Sequence, residues 1–199
     1  MPTSALETTW VLATKNQGKL KEFKKLFAPL GITIISSADF NAGDIPETGT
    51  TFIENAIIKA RALAKVSGLP TIADDSGLCV NALKGAPGLY SARFSEEGTD
   101  SANNAKLLTE LDAIGAKDRS AYFYCALVLL RHADDPAPVI GLGQWGGEIA
   151  ATAKGDNGFG YDPLFYVPDQ DKHSAELLPE VKNQLSHRAK ALQQLIAQL

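Results

Sequence analysis

Two long apolar runs, 121-AYFYCALVLLR-131 and 139-VIGLGQWGGEIA-150, constrain this chain more than any other feature. Both read as long strands, and Asp134-Asp135-Pro136 between them is a turn signal, so they pair as neighbours in a sheet. The N-terminal part has a different rhythm. The apolar run 9-TWVLAT-14 leads through a glycine-containing loop into Leu20, Phe23, Phe27 and Leu30 at helical spacing, with Pro29 and Gly31 ending the helix. The β-branched 32-ITIIS-36 is the next strand, and 37–50 is a polar loop. Thr51 and Glu54 then form a capping box for a helix whose apolar face is Phe52, Ala56, Ile57, Ala60, Leu63 and Ala64.

Further along, 71-TIAD-74 is a strand, Asp75-Ser76-Gly77 a turn, and 78-LCVNAL-83 a return run. Together they predict a hairpin carrying Asp74 and Asp75 at its tip. Residues 100–114 are helical, 155–169 is a glycine-rich loop entering a short strand, and 186–199 is an amphipathic helix capped by Ser186. Strands alternating with helices predict an α/β fold, and the hairpins make its sheet mixed.

Composition narrows the function. At 199 residues the chain is long enough for one domain that buries roughly two-thirds of its unfolded surface. No apolar run approaches the ~20 residues that span a bilayer, and the N-terminus lacks a basic and apolar leader, so no membrane is expected and the cytoplasm is the expected compartment. A net charge of −4 argues against direct nucleic-acid binding. Cys79 and Cys125 fall in apolar strand-like runs, where free cysteine is a small buried hydrophobe. His132 and His173 are expected on the surface.

Three charge placements need explanation. In 14-TKNQGK-19, Lys15 and Lys19 flank a loop before a helix N-terminus, where cations are unfavourable unless an anion compensates them. Gly18 lets backbone amides approach, so the loop reads as a phosphate cradle or as a flexible loop beside a solvated lysine face. Ser186-His187-Arg188 puts two more basic residues in a first helical turn, with Lys182 one turn earlier if the helix extends that far. These donors can read a carbonyl or phosphate oxygen, and equally can be an ordinary surface turn. Asp74 and Asp75, with Glu47 as a third acid, suit Mg²⁺ shared with substrate phosphates; the alternative is that they cap a tight turn. Jointly, the three point to metal-assisted phosphoryl or nucleotidyl chemistry.

The segments LATKNQGKLKEF, ETGTTFIENAIIKA, IADDSGLCVNALKGAPGLYSARFS, GFGYDPLF and SHRAKAL, in this order, closely resemble the inosine triphosphate pyrophosphatase family, from about Val11 to Leu192. Lys15 departs from the glycine many relatives carry. The resemblance implies one domain over residues 1–199, with a long, mixed, twisted sheet flanked by helices and two lobes sharing it around an active-site cleft. It implies Mg²⁺-dependent cleavage of ITP, dITP and XTP between the α- and β-phosphates. It also implies that Thr14, Asn16, Lys19 and Lys59 bind the triphosphate, and Lys15, Gln17 and Gly18 of the same loop are candidate substrate-binding residues. Glu47, Asp74 and Asp75 would form the metal and water-activating cluster, with Asp75 as proton acceptor, and Ser76 would be a substrate contact. Phe159 would stack on the base, Gly160, Tyr161 and Asp162 would line its pocket, and Lys182, His187 and Arg188 would recognise it. A donor-lined pocket favours a C6 carbonyl over the adenine amine. A homodimer is expected, with exposed apolar residues such as Trp145 permitting it. The rival readings are a nucleotide sensor without turnover and a pyrophosphatase with another base preference.

Overall fold

The computed structural model of the chain describes residues 8–14, 16–40 and 42–199. Among these, seven strands form one sheet in the order β2-β1-β3-β4-β5-β6-β7. They are β1 (Thr9–Leu12), β2 (Thr33–Ser36), β3 (Thr71–Val80), β4 (Ser120–Leu130), β5 (Val139–Ile149), β6 (Phe165–Val167) and β7 (Lys172–His173). The helices are α1 (Gln17–Phe27), α2 (Phe52–Ser67), α3 (Asp100–Ala113), α4 (Pro179–Leu185) and α5 (His187–Ile196). β1 pairs in parallel with β2 and β3, as strand-helix-strand connections require, whereas β5, β6 and β7 pair antiparallel. The sheet is therefore mixed, as expected, and no described helix is long and apolar enough to cross a membrane.

The chain forms two compact units. The first comprises the described residues up to Asp75, Ala126–Gly141 and Leu192–Leu199. Its core includes Trp10, Phe23 and Phe27, all fully buried, with the Trp10 and Phe27 rings edge to face at 5.5 Å. Leu30, expected on the same helical face, sits instead in a 3₁₀ turn after α1 and is exposed, because Pro29 enters the turn where the helix has already ended. The capping box of α2 forms as the sequence predicts: Glu54 N donates to Thr51 Oγ1, and the Glu54 carboxylate accepts from Thr51 N.

The second unit comprises Ser76–Cys125 and Leu142–Ala191, with a core around Leu78, Leu107, Phe123, Trp145 and Phe165. Trp145 corrects an expectation here. It is buried, between Phe165 at 5.3 Å and Phe123 at 6.4 Å, because the inward face of β5 meets the aromatic residues of β4 and β6. His173 is also buried rather than on the surface. β7 pairs with β6 and sets the imidazole against Tyr166, with Nδ1 2.6 Å from the Pro163 carbonyl oxygen. Cys79 and Cys125 are buried free thiols, as expected, and burial pushes the Cys79 thiol above its ordinary value.

The largest correction concerns the expected hairpin at 71–83. β3 runs unbroken from Thr71 to Val80, so Asp75-Ser76-Gly77 is extended strand and the carboxylates are not at an exposed tip. Asp74 is 1% exposed and Asp75 8%. Turn propensity at Asp-Ser-Gly is overruled because Leu78 and Val80 are fully buried by continuing the strand. The helix expected over 186–199 is α5, capped by Ser186, whose hydroxyl oxygen accepts from Ala189 N at 3.2 Å. Lys182 lies on the separate helix α4, which Ser186 ends.

Candidate active site

The first unit gathers three carboxylates and two lysines. Asp74 and Asp75 are neighbours on β3 and have different nearest partners from different helices, although the Asp74 charge also acts on Lys59 and the Lys19 charge on Asp75. Lys19 of α1 lies 2.7 Å from Asp74 Oδ1. Lys59 of α2 lies 2.8 Å from Asp75 Oδ1 and 2.9 Å from Glu47 Oε1, so two acids converge on one cation. The strand tolerates both buried charges because α1 and α2 each supply a counterion.

Local chemistry places each member. Asn16 caps α1 by accepting from Lys19 N at 3.0 Å, which fixes the start of the turn carrying the Lys19 side chain. Thr14 Oγ1 accepts from Asn16 N, and the Thr14 carbonyl accepts from Ser37 Oγ at 2.8 Å, tying the loop to the segment after β2. Gln17 and Gly18 open α1, while Lys15 lies outside the described residues. Glu47 sits in a segment stapled to α2. Buried Asn55 accepts from Gly49 N at 2.8 Å, and Glu54 accepts from the backbone of Thr50 and Thr51. A Cβ at Gly49 would lie 2.6 Å from the Glu54 Cβ, so glycine permits this close approach.

Burial dominates the titration of Asp75 and raises its carboxyl above the ordinary value, while Lys59 opposes the rise. Burial alone would lower the Lys59 ammonium, but the charges of Asp75 and Asp74 and hydrogen bonds to Asp75 and Glu47 raise it overall. Lys59 therefore remains a cation at neutral pH, and Asp75 is a more basic carboxylate than one in water. Among the described residues no three His, Cys, Asp or Glu side chains gather as a ready-made ligand set. Lysines stand between the acids instead.

The second unit gathers an aromatic ring and a ring of donors. Phe159 is half-buried, with the Arg188 guanidinium 5.2 Å and the Lys182 ammonium 5.5 Å from its ring centroid. Arg188 Nη2 also donates to Ser76 Oγ at 3.0 Å. Asp162 organises the loop. Its Oδ2 accepts from Lys182 Nζ at 2.6 Å and from Phe159 N at 2.9 Å, and its Oδ1 accepts from Ser174 Oγ at 2.8 Å. A Cβ on Gly158, where φ is +81°, would overlap that carboxylate. Buried Tyr161 donates its hydroxyl to the Ser91 carbonyl at 2.8 Å. His187 is buried and stacked on Phe123 at 4.9 Å, at the first turn of α5. That turn lies against β5 because Gly143 has no side chain: a Cβ there would overlap the His187 carbonyl oxygen.

Nearly all the residues expected from the sequence fall into these two groups. Sequence reasoning missed the supports: Ser37, Asn55, Ser91, Phe123 and Ser174. Asn55 carried a signal, a polar residue on the otherwise apolar face of α2. The others act through hydroxyls, a backbone carbonyl or a ring brought in from distant segments, which no local pattern announces.

Comparison with known proteins adds an independent line. A sequence model of the Ham1 family matches residues 10–198. A protein of Photobacterium profundum named dITP/XTP pyrophosphatase is 55% identical over 190 residues, 95% of this chain and 96% of that protein. A Vibrio vulnificus protein of the same name is also 55% identical over 190 residues, covering 95% of each chain. The solved structure of a HAM1 protein from Coxiella burnetii is 49% identical and superposes with a TM-score of 0.87, covering 95% of this chain and 96% of that one.

Proposed function

We propose, from the premise that this chain belongs to the Ham1 family, that it hydrolyses deaminated purine nucleoside triphosphates to the monophosphate and pyrophosphate with Mg²⁺. ITP, dITP and XTP are its substrates in this reading, and clearing them keeps deaminated bases out of DNA and RNA. The enzyme acts as one domain in the cytoplasm, and as a homodimer.

One observation carries the reading. Asp75, a buried and unusually basic carboxylate, is the chain neighbour of Ser76, which Arg188 holds while lying against Phe159. Lys19 and Lys59, with the backbone amides at Asn16 to Gly18, meet the triphosphate, displacing part of their carboxylate pairing. Asp75 takes the proton from water as it attacks the α-phosphorus, and its raised proton affinity suits that role. Lys59 and Lys19 offset the charge that develops on the phosphate oxygens.

The donor chemistry fits Mg²⁺: Glu47, Asp74 and Asp75 are all-oxygen donors, and two of them already converge on one cation. When bound there, Mg²⁺ supplies further neutralisation of the polyphosphate. On the base, Phe159 stacks, while Lys182, His187 and Arg188 present donors to the C6 carbonyl of hypoxanthine or xanthine. An adenine amine in the same place leaves those donors unmatched, which a buried site discriminates strongly.

Pyrophosphate release from ITP, XTP, dITP, ATP and GTP, with and without Mg²⁺, tests the reading. Rapid Mg²⁺-dependent release from the first three is expected, with ATP far slower. Equal rates on ITP and ATP would remove base selection, and no release from any of them would return the chain to a binding role.

A further inference from the structure

Helix α3 has no part in the roles above and the preceding segment 86-APGLYSARFS-95 enters them only through Ser91, yet they hold the base-side loop. Gly160 N donates to Asp100 Oδ2 at 2.6 Å, and the Gly160 carbonyl accepts from Asn104 Nδ2 at 2.9 Å. Asp100 and Asn104 are one helical turn apart, so they share a face of α3 and grip both backbone polar groups of one residue. That residue is the glycine next to Phe159, in a left-handed conformation at φ +64°. Since Phe159 N is held by Asp162, the backbone on both sides of the ring is fixed.

The platform is itself anchored. Thr99 caps α3, Leu107 and Leu111 bury the same face further along the helix, and Asn103 Oδ1 accepts from Ser95 N at 2.7 Å and Ser95 Oγ at 2.9 Å. Ser91, in the same segment, accepts from Leu78 N of β3 through its hydroxyl and from Tyr161 through its carbonyl. A cavity of about 500 Å³ borders the loop, lined by Asp100, Asn104, Asn157, Phe159 and Gly160 among others. It leaves room for the loop to shift once released.

We propose that Asp100 and Asn104 are positioning residues that set affinity for the base by holding Gly160, and through it the Phe159 ring. The proposal rests on the function given above. Neither side chain is assigned contact with substrate; they act through the loop. A ring already in place avoids the cost of ordering it on binding, so loss of either grip weakens base-bearing ligands and spares those without a base.

Calorimetric titration of the full chain with inosine monophosphate, and separately with pyrophosphate, separates these effects. Asn104→Leu and Asp100→Ala are each expected to weaken inosine monophosphate about tenfold, the size of a lost hydrogen bond, and to leave pyrophosphate within about twofold. Asp100→Asn keeps an acceptor for Gly160 N and is expected to bind inosine monophosphate within about twofold of the parent. A thermal melt checks folding, and the two Asp100 variants carry the test if Asn104→Leu does not fold. Equal weakening of both ligands, or no change in either, would overturn the proposal. Failure of the functional reading would show differently, as no binding of inosine monophosphate by the parent protein.

Discussion

At Asp75 two influences oppose each other: burial raises the carboxyl's proton affinity and Lys59 lowers it, with burial the larger. An acid whose folded-state value is raised is least comfortable as a carboxylate, so replacing it with a neutral isostere removes a penalty at neutral pH. Asp75→Asn is therefore expected to fold with stability at least equal to the parent by urea denaturation. Its pyrophosphate release should fall about 10²- to 10⁴-fold, the usual worth of a general base. Retained turnover would remove Asp75 from the base role. The sequence made Asp74 and Asp75 legible as a candidate site because adjacent acids in an apolar run need a reason to be there. It did not reveal their counterions, since Lys19 and Lys59 come from helices whose placement depends on the whole sheet. The Lys182 pairing with Asp162, and Asp162's further partner Ser174, were hidden for the same reason.

Element boundaries were legible where local chemistry decides them. The Thr51 and Glu54 capping box, the Ser186 cap and the strand pair around Asp134-Asp135-Pro136 all stand where the sequence put them. β3 was misread because a turn-forming Asp-Ser-Gly lies in a strand that tertiary packing keeps straight. The turn between β4 and β5 is locked by Asp135, which is buried and accepts two hydrogen bonds from the Arg131 side chain, at 2.8 and 3.0 Å. Hydrogen bonds from Arg131 hold its carboxyl well below the ordinary 3.8, against burial, which would raise it. A depressed acid contributes stability that is present above the unfolded value and lost as pH falls through the folded one. The thermal midpoint of the parent is therefore expected to drop below about pH 4 more steeply than that of Asp135→Asn, and parallel curves would contradict this. In the middle of β5, Gly143 lets α5 seat His187 and Arg188. Gly143→Ala meets backbone that cannot yield cheaply, and is expected to cost about 1–3 kcal/mol in urea denaturation. Unchanged stability would mean that α5 is free to retreat.

For the whole molecule, the α/β class and the mixed sheet were legible in the alternation of apolar periods, because binary pattern follows the period of each element. Strand order was not, since pairing β1 with both β2 and β3 depends on crossovers that local sequence does not encode. The proposed function assigns the phosphates to the carboxylate and lysine group around Asp75 and the base to the aromatic, donor-rich group around Phe159. Its central claim is direct attack of Asp75-activated water on the α-phosphorus. Hydrolysis of ITP in ¹⁸O-enriched water, with both products analysed by mass spectrometry, tests that claim most directly. The account predicts one ¹⁸O atom in inosine monophosphate and none in pyrophosphate; label in the pyrophosphate would place the attack on the β-phosphorus and contradict it.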